Sequence, residues 1–170
     1  MKTLISLFLV LILSACSNTN GMVTATEEAN TDDKVVTMYP VTTDCDIKVC
    51  TQIGAQWSKA TPNEVMLIIK MAEPHFEIKG AYLNLDGNLI FLSKPSMQSN
   101  HTAKAGTISP QAAYTAFRTS VDVLKSAVNS KRAWLRVTTQ SAYFDDRIKD
   151  VSTDSDALNA LILFLGKIDS

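Results

Sequence analysis

Chemistry on this chain has few side chains to draw on. Its 170 residues hold two histidines, His75 and His101, and three cysteines, Cys16, Cys45 and Cys50; Asp145, Asp146, Asp150, Asp154 and Asp156 form an acidic run. Nucleophilic hydrolysis needs an imidazole within hydrogen-bond reach of a serine or cysteine. His75 falls in the turn Glu73-Pro74-His75-Phe76 and His101 in an aperiodic stretch, residues 94–109, so both are weak candidates for a general base. Glycoside hydrolysis needs two carboxyls facing across a cleft, whereas the neighbours Asp145 and Asp146 point apart and read as part of a solvated acidic turn. Two cysteines and two scattered histidines lack the paired spacing of a zinc site, and the acidic run lacks a calcium-loop pattern. No P-loop, dinucleotide fingerprint, zincin motif or nucleophile elbow is present. The sequence therefore assigns no catalytic residue, no metal and no cofactor.

Binding chemistry is better represented. In Arg132 to Gln140, RAWLRVTTQ, strict alternation puts Arg132, Trp134, Arg136 and Thr138 on one face of a strand and Ala133, Leu135 and Val137 on the other. Arg and Trp dominate interaction hot spots because each joins a large contact area to directed hydrogen bonds, so Arg132, Trp134 and Arg136 are candidate partner-binding residues. The plainer reading, to which the sequence gives more weight, is a Trp that roofs the core with the Arg stems lying along it. A formal net charge of −1 argues against nucleic acid, which needs a clustered excess of cations.

These residues must be positioned by a single domain, residues 45–170. Glu64 to Ala72 is β-rich with apolar groups on both faces, which predicts a central strand. Ile78 to Leu85 and Asn88 to Ser93 flank Asp86-Gly87, a strong hairpin signal; Gln52 to Ser58 is a further strand, with Trp57 in the core. Tyr114, Phe117, Val121, Leu124 and Val128 fit one helix face, while Ala113 to Thr119 also fits a strand with Ser120 as N-cap. The helix is placed at 120–129, and 110–119 stays open. Asp154 to Ile168 closes the chain as an amphipathic helix with Ala157, Leu158, Leu161, Ile162, Leu165 and Ile168 as its buried stripe. The fold class is α+β: an antiparallel β-sheet with two helices, about 120–129 and 154–168, packed on one face.

The N-terminus has another character. MKTLISLFLVLILSAC holds one cation at Lys2, an apolar run from Leu4 to Leu13 and then small residues, the layout of a secretory signal peptide. Leu13-Ser14-Ala15-Cys16 resembles the lipobox of bacterial lipoproteins. The resemblance covers residues 1–17 and implies removal of residues 1–15, a diacylglyceryl thioether on Cys16 and fatty acyl chains such as palmitate inserted in a membrane. Two or more chains anchor stably where one binds only marginally. Ser17 after the cysteine, rather than Asp, resembles the sorting signal of outer-membrane lipoproteins. Residues 16–44 then read as a lipidated N-terminus and flexible acidic tether with a root-mean-square reach of about 30 Å, although Val35 to Tyr39 also suits an edge strand ended by Pro40. In an oxidising compartment Cys45 and Cys50 form a disulfide, since acylation removes Cys16 from pairing.

The expectation is a lipid-anchored envelope protein on the outer membrane, facing the periplasm. It works as a non-enzymatic binding module, with the lipid bilayer and an envelope protein as partners. The rivals are a periplasmic hydrolase using the 94–109 loop and an inhibitor or immunity-type lipoprotein.

Overall fold

The computed structural model describes residues 21–28, 33–45, 49–71, 77–95 and 113–170. Cys16, His75 and His101 lie outside the described residues, as do the signal-peptide positions and all of the 94–109 stretch beyond Pro95. In chain order the elements are β1 (Val23–Glu28), β2 (Asp33–Thr42), β3 (Thr51–Ser58), β4 (Glu64–Met71), β5 (Gly80–Leu85), β6 (Asn88–Phe91) and β7 (Ala113–Ser120). Then come α1 (Val121–Asn129), β8 (Ala133–Thr138), β9 (Tyr143–Asp150), β10 (Thr153–Asp154) and α2 (Asp156–Ile168).

The strands form two antiparallel sheets, ordered β1-β2-β3-β4-β7 and β10-β9-β8-β5-β6, where the sequence reading had a single sheet. The difference lies in pairing, which alternation cannot specify. Alternation chooses the buried face of each strand, and both sheets turn theirs toward one core containing Val36, Ile53, Leu67, Ile69 and Phe117 from the first and Leu83, Leu135, Val137 and Ile148 from the second. β4 is central as its two apolar faces require, lying between β3 and β7. Two corners join the sheets. Asp44 and Arg147 exchange backbone hydrogen bonds of 2.9 and 2.7 Å, and Ser93 and Arg118 exchange a second pair.

The expected tether is also corrected. Within residues 16–44, Val23–Glu28 and Asp33–Thr42 form paired strands. The acids suggest solvation, but Val35, Val36, Thr37 and Val41 favour a pleated strand and Val36, Met38 and Val41 are buried. Pro40 does not end β2. It sits at an irregularity between Met38 and Val41, a place where a strand tolerates a missing N–H.

Residues 113–120 resolve as strand, and Ser120 caps α1 by accepting a hydrogen bond from Val123 N–H. α2 begins after Ser155, whose hydroxyl accepts from Leu158 N–H, two residues later than predicted. It packs on β2, also touching β1, β3 and β9, while α1 lies against β7, β5 and α2. The helices thus close a core shared by both sheets. Ile162, expected in the buried stripe of α2, is exposed, and Ala160 and Phe164 are buried instead. The Asp86-Gly87 hairpin forms as read, with φ of 51° and 95°.

Candidate functional site

The outer face of the second sheet gathers the residues singled out for binding. Register fixes two rows across it: Phe91, Tyr82, Arg136 and Asp145, then Leu89, Asn84, Trp134 and Arg147. Neighbouring strands lie about 4.8 Å apart, so rings and guanidinium groups in a row touch. The Tyr82 and Phe91 ring centroids are 5.4 Å apart. The Arg136 guanidinium lies 5.5 Å from the Tyr82 centroid and 4.4 Å from that of Tyr143, and Arg147 lies 5.8 Å from the Trp134 ring. Such stacking on a partly desolvated face favours the cation, because the ring quadrupole is negative above its plane.

Ion pairs hold the ladder in place. Arg136 donates to both oxygens of Asp145 through Nε and Nη2. This hydrogen bonding to Asp145 raises the Arg136 pKa above its already high ordinary value. Arg147 meets Asp44 at 3.0 Å and Arg132 meets Asp150 at 3.3 Å. At the end of the face the Asp86 carboxylate accepts the backbone N–H groups of Lys131 (3.1 Å) and Arg132 (2.8 Å), while Asp86 N–H donates to Arg132 O at 3.0 Å. Those N–H groups, Lys131 first and Arg132 second, hold the Asp86 carboxyl below its ordinary pKa. A groove of about 1130 Å³ runs over the face, lined by Tyr82, Asn84, Leu89, Trp134 and Arg136 among others.

Of the three residues proposed for binding, Arg132 is exposed and Trp134 and Arg136 are half-buried in this groove. The plainer reading of Trp134 as a roof of the core is corrected: Ala133, Leu135 and Val137 take the core side. Trp57 is the core tryptophan, with its indole N–H on Pro62 O at 2.9 Å. Asp145, Asp86 and Asp150 are each already bound by a guanidinium or a backbone N–H. The face therefore offers ring planes and guanidinium edges to a ligand, which suits recognition.

The acidic run is a turn only in its later part, where Val151 and Ser152 join β9 to β10 between Asp150 and Asp154. Asp145 and Asp146 lie on β9 and point to opposite sides of the sheet, Asp145 into the groove and Asp146, fully buried, into the corner between the sheets. Asp146 Oδ2 accepts from Thr51 N–H (2.7 Å), Thr51 Oγ1 (2.5 Å) and Thr43 Oγ1 (3.2 Å), and Oδ1 has no hydrogen-bond partner. The disulfide joins Cys45 to Cys50, with Cα atoms 5.6 Å apart, and holds the ends of β2 and β3 beside that carboxylate. Nothing local in the sequence marks Asp146, because its partners lie 95 and 103 positions away. Among the described residues no group of three or more His, Cys, Asp or Glu is placed to hold a metal ion, and no helix is long and apolar enough to cross a membrane. Comparison with family models, with curated proteins and with solved structures gives no match, so the reading of this face rests on its own geometry.

Proposed function

We propose that the chain is a non-enzymatic binding module of the cell envelope, held at the outer membrane by acyl chains on Cys16, facing the periplasm and engaging an envelope protein through the outer face of its second sheet. The observation that carries the reading is the ladder of Phe91, Tyr82, Arg136, Tyr143, Trp134 and Arg147 over the groove. A face built for solubility alone would scatter its rings and leave its cations in water. Here they are pre-organised, which lowers the side-chain entropy lost on docking. A covalent anchor adds to this by raising the local concentration of the module at the envelope.

The test is affinity capture from detergent-extracted envelopes with the full lipidated chain, wild type against an Arg132→Ala/Trp134→Ala/Arg136→Ala variant. The reading expects a protein retained by the wild type and lost with the variant. Trp134→Ala alone should cost about 2 kcal/mol, roughly a 30-fold rise in Kd, as for a central anchor residue. Equal capture by wild type and triple variant would refute it.

A further inference from the structure

The outer face of the first sheet is unlike the groove, and the chain reaches it from the N-terminal side. We infer that this face lies against the lipid surface, so that the groove on the second sheet points away from the membrane. The inference rests on the proposed acylation of Cys16.

Three observations lead there. First, a row runs from Met22, just before β1, across β2, β3, β4 and β7 with no charged residue in it. Tyr39 N–H donates to Met22 O at 2.9 Å, Pro40 is seated over Gly54, where an added Cβ would meet its ring at 3.2 Å, and Gly54, Ile68 and Ala116 are cross-strand partners. Met22 and Tyr39 are exposed large apolar side chains, as is Tyr114 beside the row. Tyrosines whose rings meet lipid while their hydroxyls stay in water suit a bilayer interface. Second, the acids keep to one end. Lys70 flanks the row on the side of Tyr114, its cross-strand partner, whereas Glu27, Glu28, Asp33 and Glu64 stand toward the β3–β4 turn end, with Asp33 on Ser58 and Glu64 on Arg118. Third, the chain between Cys16 and the sheet is short. Gly21 lies five positions after Cys16, a span of at most about 18 Å, and the row begins at the next residue, Met22. An acylated Cys16 therefore leaves this end of the first sheet next to the headgroups, and a polar face there would gain nothing from the contact.

Because both sheets turn their buried residues to the same core, both outer faces point away from it. Lipid under the first sheet leaves the second sheet open to a partner.

The test uses the full lipidated chain in vesicles of phosphatidylethanolamine and phosphatidylglycerol carrying nitroxide-labelled headgroups. Two variants, Tyr39→Cys and Leu89→Cys, receive the same fluorophore, and quenching is compared. Several-fold stronger quenching at position 39 is the expected result, and it should fall when Ile68→Asp is added to Tyr39→Cys although the chain stays on the vesicles. Equal quenching at both positions, stronger quenching at 89, or quenching at neither would overturn the orientation. The N-terminal mass of the same sample separates the two claims: acylated Cys16 without contrast between the faces sinks the orientation alone, and unmodified Cys16 sinks the anchor and the orientation together.

Discussion

The two sheets share one core and present opposite kinds of surface. The outer face of the first carries a smooth row of Met22, Tyr39, Pro40, Gly54, Ile68 and Ala116, with its acids kept to one end. That of the second is laced by Arg136–Asp145, Arg147–Asp44 and Arg132–Asp150 pairs and by cations over rings. Both inner faces are predominantly apolar, so burial alone does not account for the contrast. It is an outside difference, and outside differences record what a surface meets.

The largest expected effect strikes the corner that joins the sheets. Asp146→Ala takes the carboxylate acceptor from Thr51 N–H and from the Thr51 hydroxyl, while the Thr43 hydroxyl keeps Thr51 O at 2.9 Å, and should destabilise by about 3 kcal/mol, read as a lower urea midpoint with an unchanged slope. A loss under about 1 kcal/mol would mean the corner is held by its backbone bridge alone. Next is the staple beside it. Replacing Cys45 and Cys50 together by Ser should cost about 2 kcal/mol, because the closed loop is short. On the faces themselves the effects on stability shrink. Arg136→Ala should cost under about 1 kcal/mol, since its pair with Asp145 is partly exposed, yet it should weaken partner capture markedly. Ile68→Asp should show the reverse split, leaving capture intact and reducing lipid contact. If both substitutions reduced capture equally, the division of labour between the faces would be wrong.

The smallest effect depends on pH. The folded pKa of Asp86 lies below its ordinary 3.8, so its contribution is complete above that value and is lost as pH falls through the lower folded pKa. The group is fully exposed, and the change should be confined to the end of the groove. The protection of the Lys131 and Arg132 amides, taken as exchange relative to the intrinsic rate at each pH from about pH 6 down to about pH 2, should fall only at the acid end. Constant relative protection across that range would show that the backbone bond from Asp86 N–H holds the segment without the carboxylate.

Much of the groove was legible before the structure. The alternation of Arg132, Trp134 and Arg136 is a local signal, and Asp86-Gly87 marks its hairpin because few other pairs tolerate two positive φ angles. What escaped was non-local. Asp146 looks like one more surface acid until Thr43 and Thr51 are brought to it from another sheet. Tyr82, Phe91 and Tyr143 carry no motif, and they reach Arg136 only through cross-strand register. Residues 23–42 misled because composition weighs acids evenly along the chain, while burial of Val36, Met38 and Val41 depends on a partner strand. The stripe of α2 was legible for Ala157, Leu158, Leu161 and Leu165 but not for Ile162, since the width of a buried stripe is set by the sheet it meets.

Every claim about orientation and partner leads back to Cys16. The direct measurement is mass spectrometry of the N-terminal peptide of the chain extracted from its own membranes. The account predicts a chain that starts at Cys16 and carries a diacylglyceryl group on the sulfur; a free thiol at that position, or a mature chain starting elsewhere, would contradict it.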